Sequence, residues 1–280
     1  MKQIHWYPGH MRKAQIDIEE KVKIVDLVIE LLDARIPLSS RNPTLFKLTE
    51  NKNRLVVLTK NDLADQEMTK RWIEHFKNAG FEAIFADLNK EKDIKNIISN
   101  AEKLAENKNQ KLAAKGMKPQ PIRAMIIGIP NVGKSTLINK IAKRNAASVE
   151  NKPGHTKAQQ WIKVSDKFQL LDTPGILPSN YENKEHAVNL ALVGSINEEI
   201  LPLEELSERA FNYLKEFYPS LLLGRFDYLN LEDDYLSSIA LIAKKRGYFA
   251  KGGLDLYKCQ KVFLNELKNG ILGQISFERI

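Results

Sequence analysis

Arg123-Ala124-Met125-Ile126-Ile127 runs straight into Gly128-Ile129-Pro130-Asn131-Val132-Gly133-Lys134-Ser135, and a helical pattern follows over about 133–143. An apolar strand, a glycine-bounded turn and a helix opening on Lys-Ser make up the full strand–GxxxxGK[ST]–helix pattern. A phosphate chain demands these residue types. Glycines let backbone N–H groups wrap the anion without Cβ interference, and the helix start adds a favourable dipole. Lys134 supplies a point charge for β- and γ-phosphates, and Ser135 offers a hydroxyl to Mg²⁺. Val132, Gly133 and Thr136 belong to the same nucleotide-binding stretch. A chance match of the four fixed positions in a chain this long is on the order of 1%. A ligand-free strand–helix turn is the weaker reading.

Working outward, the strand pattern Arg54–Thr59 stops at Thr59-Lys60-Asn61-Asp62. A carboxylate such as Asp62 accepts two hydrogen bonds from the N1–H and N2–H₂ of guanine; adenine has no such donor pair and leaves the carboxylate unmatched. Lys60 can lay its aliphatic stem along the base. Alone this string is often a polar turn, but beside a phosphate loop it selects guanine over adenine. Ala86, after a third strand at Phe81–Ala86, offers a backbone N–H for guanine O6, although Phe85-Ala86-Asp87 matches the usual Ser-Ala pattern poorly. On the other side, Leu170-Leu171-Asp172-Thr173-Pro174-Gly175 places Asp172 to hold Mg²⁺ through a water and the Gly175 N–H to meet the γ-phosphate. Between them, in Pro153-Gly154-His155-Thr156-Lys157, Thr156 is the expected second hydroxyl ligand of the metal.

Periodicity places these motifs in a series of α/β units. A helix over about 11–22 precedes a strand over 24–32. A helix near 66–78 stops at Gly80, and a Lys-rich helix over 90–115 stops at Gly116. Alternation in 158–165 and 167–171 predicts a β-hairpin. Beyond about 180, helical periods take over at 185–193, 203–217, 233–246 and 254–268. The expected architecture is an α/β domain over 1–178, a mainly parallel sheet wrapped by helices, followed by an all-α domain over 179–280.

The 280 residues are 43% apolar and 28% charged, enough for a packed core. One cysteine excludes an internal disulfide or a multi-cysteine metal site. No stretch has signal-peptide or membrane-spanning length, so a cytosolic location without membrane attachment is expected. Residues 1–180 carry 31 basic against 20 acidic side chains, and residues 181–280 carry 12 against 15. That asymmetry suits a polyanionic partner or simple solubility.

Together these strings resemble the signature set of the translation-factor-like GTPases in permuted order, with the guanine motif ahead of the phosphate loop. With Asp33-Ala34-Arg35-Ile36-Pro37 and Trp6-Tyr7-Pro8-Gly9-His10-Met11, the chain resembles the circularly permuted GTPases and, within them, the ribosome biogenesis GTPase A family over essentially its full length. The resemblance implies GTP and Mg²⁺ as ligands, a circularly permuted P-loop GTPase domain, and action in late assembly of the large ribosomal subunit. It also implies binding to ribosomal RNA through the helical domain. A monomer is expected for the free protein.

Ile176 follows Gly175 where many GTPases carry a water-orienting Gln. The resemblance implies an apolar residue there and points to His10 as the catalytic group, with His155 the other histidine at hand. A helix-start or RNA-contacting role is the alternative for His10. Asn131 resembles the residue of potassium-activated GTPases, which adds K⁺ as a candidate ligand; a solvent-facing turn residue is equally consistent. Lys2, Arg12, Lys13, Lys21 and Lys23 near Trp6-Tyr7, and Lys244-Lys245-Arg246 and Lys251 around Tyr248-Phe249, combine charge with stacking surfaces suited to RNA. Arg35 and segment 90–118 are further candidates. Two other functions fit less of this pattern: an RNA-binding factor regulated by GTP with incidental hydrolysis, and a metabolic P-loop kinase or ATPase.

Overall fold

The computed structural model describes residues 9–146, 161–171, 173, 175–177, 184–196 and 201–280, without the side chains of 9–15 and 143–146. Six strands form one sheet. At its centre β1 (Leu27–Asp33) lies between β2 (Asn53–Thr59) and β4 (Ile122–Ile127). Outside β2 comes β3 (Glu82–Phe85); outside β4 come β6 (Phe168–Leu171) and the edge strand β5 (Trp161–Ser165). Every pairing is parallel except β5 with β6, the expected hairpin. All seven residues of β1 are buried, as a central strand covered on both faces requires. The chain steps outward from β1 to β3, then restarts at β4 on the other side. The crevice at the carboxyl ends of β1 and β4 is therefore the topological switch point, where open α/β sheets bind ligands.

Helices cover both faces. On one, Ile18 of α1 (Gly9–Val22) and Leu45 of α2 (Pro43–Leu48) pack with Val28, Met125, Ile127, Leu171 and Ile176. Trp72 and Phe76 of α3 (Gln66–Asn78) cover Leu32, Val56 and Leu58. On the opposite face lie α4 (Glu91–Leu104) and α6 (Lys134–Ala146), with α5 (Glu106–Ala114) between them in sequence. The helix expected over 90–115 is thus two helices broken at Ala105, which caps one and opens the next. The sequence reading also passed over α2. It spans only six residues, too few for periodicity, yet Asn42 caps Thr44 and Leu45 and Pro43 opens it.

Glu30 is an acidic residue in the middle of an otherwise apolar strand. It is 2% exposed and accepts hydrogen bonds from Arg41 (3.2 and 2.9 Å) and Arg54 (2.8 Å), whose guanidiniums lie 4.7 and 4.4 Å from the Phe46 ring. Glu30→Gln leaves two guanidiniums without a counter-charge and is expected to cost about 3–5 kcal/mol, read as a lowered midpoint in urea unfolding.

The C-terminal part comprises α7 (Lys184–Leu192), α8 (Leu203–Phe217), α9 (Pro219–Arg225), α10 (Tyr235–Lys245) and α11 (Leu256–Lys268). It is not all helix: β7 (Phe249–Ala250) and β8 (Gly253–Leu254) form a small antiparallel ribbon, turned at Lys251-Gly252. The short α9 was also unpredicted. One apolar cluster runs without a break from Leu27, Ile29 and Leu55 in the sheet through Leu137 and Ile141 to Phe211, Phe226 and Phe263. The change near residue 178 separates classes of secondary structure, while the core is shared. Residues 275–278 bond to the segments that follow β1 and β2 and to α3: Ile275 N–H donates to Leu63 O (3.0 Å), Phe277 N–H to Arg35 O (2.8 Å), and Trp72 Nε1–H to Glu278 O (3.1 Å). Among the described residues no helix is long and apolar enough to cross a membrane.

Candidate nucleotide site

The phosphate loop stands at the carboxyl end of β4. Asn131 (φ 60°) and Gly133 (φ 109°) adopt left-handed conformations that coil the chain around the head of α6. At Gly128 a Cβ would fall 2.7 Å from Leu31 O and 2.9 Å from a Val132 methyl, so only glycine fits against β1 there. Lys134 is 7% exposed, and its ammonium donates to Gly128 O (2.9 Å) and Ile129 O (2.6 Å). Pro130, Asn131, Gly133, Lys134, Ser135, Thr136, Thr173 and Gly175 line a cleft of about 730 Å³, large enough for a triphosphate.

Gly175 closes the cleft from the side of β6. A Cβ on it would lie 2.8 Å from Lys134 Nζ and 3.0 Å from Pro130 N, so backbone approaches backbone at the phosphate end. Thr173 Oγ1–H donates to Ile126 O, tying this segment to β4. Ile176, next along, is 2% exposed among apolar neighbours, and its carbonyl accepts from Asn42 Nδ2 (2.8 Å). An apolar side chain buried on the far side of the segment cannot orient a water. Sequence reasoning assigned Thr173 and Asn42 no role, because neither carries a recognisable string by itself.

At the end of β2, Thr59 is fully buried, and its hydroxyl lies 3.0 Å from Leu32 O and 2.7 Å from Val132 O. This hydroxyl ties the guanine-motif strand directly to the phosphate loop. Lys60 has φ 55°, and its ammonium lies 3.0 Å from Asp33 Oδ2. Burial alone would raise the Asp33 carboxyl, but Arg35 and Lys60 outweigh it and hold the group well below the usual carboxylate range. Asn61 donates to Gln66, and its buried Oδ1 has no partner among the described residues. Asp62 is exposed, and its backbone O accepts from Gln274 Nε2 (3.0 Å).

The expectation for Ala86 requires correction. Its N–H donates to Leu58 O (2.8 Å), and the next N–H, of Asp87, goes to Asp93 Oδ2 (2.9 Å), so neither is available to a base. Asp172, Thr156 and His155 lie outside the described residues, as do Trp6 and Tyr7. His10 falls in the first turn of α1, and its side chain lies outside them too.

The basic residues read as an RNA surface divide in two. Arg35 is 3% exposed and bonded internally, Lys21 is 8% exposed and paired with Asp17, and Arg246 is paired with Glu266 (2.6 Å) over the Phe226 ring. Those three serve packing, which composition cannot distinguish from surface charge. Around the ribbon, by contrast, Phe249 is 63% exposed and Lys244, Lys245 and Lys251 are exposed; Tyr257 (60% exposed), Lys258 over the Tyr248 ring and Lys261 over the Tyr257 ring were not singled out from the sequence.

A family described as "50S ribosome-binding GTPase" matches residues 123–214. Ribosome biogenesis GTPase A of Bacillus cereus is 45% identical over 276 residues, 98% of this chain and 93% of that one. The same-named protein of Thermotoga maritima is 32% identical over 98% of this chain and 94% of its own. Among solved structures, GNP-bound YlqF from T. maritima is 29% identical with a TM-score of 0.66, covering 95% of this chain and 98% of that one. With near-complete coverage at these identities, and with the guanine-motif strand meeting the phosphate loop in permuted order, the chain belongs to the ribosome biogenesis GTPase A family.

Proposed function

We propose that the protein is a GTP-hydrolysing switch acting in late assembly of the large ribosomal subunit in the cytoplasm, with ribosomal RNA as its ligand. The observation that carries the nucleotide reading is the Thr59 hydroxyl on Val132 O, which sets the guanine motif and the phosphate loop side by side at the switch point of the sheet. In this reading Asp62 accepts the N1–H and N2–H₂ of guanine, and Lys60 lies along the base with its ammonium anchored on Asp33. Lys134 neutralises the β- and γ-phosphates, and the Gly175 N–H meets the γ-phosphate. The exposed Ser135 hydroxyl lines the phosphate end of the cleft and suits a bound Mg²⁺, and Thr156 and Asp172, outside the described residues, would add hard oxygen ligands by residue type. When bound, the metal offsets charge developing on the phosphate oxygens. Ile176 is buried and cannot orient the attacking water, and the resemblance of the Pro8-Gly9-His10 motif to that of the family assigns this role to His10.

Gly175→Ala is expected to lower kcat/KM for GTP about 100-fold, the scale of a ~1 Å displacement, since the added methyl must push the loop backbone at Pro130. Steady-state phosphate release checks it. The exposed Phe249 and Tyr257 with their lysines supply base stacking and phosphate contacts for RNA.

The buried Ile176 also favours a second reading, an RNA-binding factor whose affinity GTP controls while hydrolysis is incidental. Single-turnover hydrolysis with and without large ribosomal subunits separates the two. Acceleration by subunits supports the switch, whereas a slow rate unchanged by subunits supports the second. Running the same assay in KCl and NaCl tests Asn131, whose amide nitrogen is turned to Gly194 O (3.3 Å). Equal rates remove potassium from the site.

A further inference from the structure

Two helices of the C-terminal part end beside the nucleotide site in the same way. In α7, Gly194 N–H returns to Ala191 O (3.1 Å) and Ser195 N–H to Leu190 O (2.8 Å), with Gly194 at φ 73°. In α11, Gly270 N–H returns to Leu267 O (3.2 Å) and Ile271 N–H to Glu266 O (2.9 Å), with Gly270 at φ 72°. Both are Schellman turns, which satisfy two carbonyls and leave the terminal ones looking for donors. Arg35 supplies them. Its guanidinium donates to Val193 O (3.3 Å) and Lys268 O (3.1 Å), where two helix dipoles present their negative ends. The same guanidinium donates to both oxygens of Asp33 (3.0 and 2.8 Å), and Asp33 holds the Lys60 ammonium.

A second path runs in parallel. The carbonyl after Val193, that of Gly194, accepts from Asn131 of the phosphate loop (3.3 Å). A Cβ at Gly270 would fall 2.8 Å from Leu63, the residue after Asp62, whose own carbonyl accepts from Ile275 N–H. Adjacent carbonyls of one turn are thus held by the two halves of the nucleotide site, and the loop carrying the guanine motif is bounded by the helical part.

We propose that Arg35 is a positioning residue that couples the docking of α7 and α11 to guanine-nucleotide retention, acting through Asp33 on Lys60. The inference rests on the nucleotide reading above and adds to it the direction of regulation. Whatever draws the two helix ends away from Arg35 releases the nucleotide faster, and by linkage a bound nucleotide holds the helices in place.

The test uses the full chain loaded with N-methylanthraniloyl-GDP and chased with excess GDP in a stopped-flow instrument. Arg35→Lys keeps a positive charge for Asp33 but cannot span the two carbonyls as well. Release is expected to be about tenfold faster, within the roughly 5–150-fold range of coupled sites. Gly194→Ala perturbs the turn from the other side. Its methyl has room, 3.7 Å from Lys268 Cδ, so only the positive φ is strained, and release about threefold faster is expected. This variant decides alone if Arg35→Lys does not fold. Asp234→Ala removes the side-chain cap of α10, which accepts from Ser237 N–H (2.9 Å), in a helix that carries neither of the carbonyls held by Arg35. It is expected to lower Tm yet leave release within about twofold of wild type.

Hydrogen exchange supplies a readout that mere structural support would not move. Amides of 193–196 are expected to be more protected in the GDP-loaded wild type than in the nucleotide-free protein, with no such difference in Arg35→Lys. Wild-type release rates in both Arg35→Lys and Gly194→Ala, or equal acceleration by Asp234→Ala, overturn the coupling. A wild-type protein that retains no labelled GDP overturns the nucleotide reading beneath it.

Discussion

Lys134→Ala is expected to lower kcat/KM for GTP by about 10³-fold, roughly 4 kcal/mol of transition-state stabilisation. Removing one neutral donor from a preorganised site costs about 10²–10³-fold, and a full charge in a buried setting belongs at the upper end. The setting is buried here: Lys134 is 7% exposed, held between Gly128 O and Ile129 O, with the position of a Gly175 Cβ 2.8 Å away. Truncation removes the positive charge and also strips two loop carbonyls of their donor. Steady-state hydrolysis and calorimetric binding of a non-hydrolysable GTP analogue measure the loss. Retention of kcat/KM within tenfold of wild type would show that the triphosphate sits elsewhere.

Asp62→Asn is expected to weaken GTP binding by about 10⁴-fold while leaving Tm unchanged. Guanine presents two donors, N1–H and N2–H₂, and a carboxylate presents two acceptors. An asparagine presents one acceptor and one donor, so an N–H faces an N–H. Xanthine carries a carbonyl oxygen at C2, which converts that clash into a hydrogen bond, and the variant is expected to prefer XTP. The fold tolerates the change because the Asp62 side chain is exposed and the bond to Gln274 is made by the Asp62 backbone O. Competition of GTP, XTP and ATP against a fluorescent guanine nucleotide reads the preference. Undiminished GTP affinity in the variant would remove Asp62 from the base site.

The phosphate loop, the strand before it and the helix after it were legible because each of their residue types answers a local demand: positive φ at Gly133, close approach at Gly128, a buried ammonium at Lys134. What could not be read depends on partners distant in sequence. Nothing in Asp33-Ala34-Arg35 announces that its guanidinium ends two helices more than 150 residues away. A Lys21 bound to Asp17 looks the same in composition as one free to meet RNA. Ala86 failed for the same reason, since its N–H is taken by Leu58 across the sheet. The short helices α2 and α9 escaped because six or seven residues carry too little periodicity, and end residues such as Asn42 and Pro219 are common in turns.

The strand order has a kinetic consequence. β1, β2 and β3 come from residues 27–85 and can zip together from contiguous chain, but the other edge of β1 pairs with Ala124–Ile127. Until that distant strand arrives, a strand whose only charged side chains are Glu30 and Asp33 keeps an open row of amide and carbonyl groups, able to pair with any passing chain. Contacts of such long range form late. The hydroxyl of Thr59 finds Val132 only after β4 has zipped on, so the pocket is among the last parts of the molecule to be built, and a refolding chain is most prone to aggregate just before it gains the ability to hold a nucleotide.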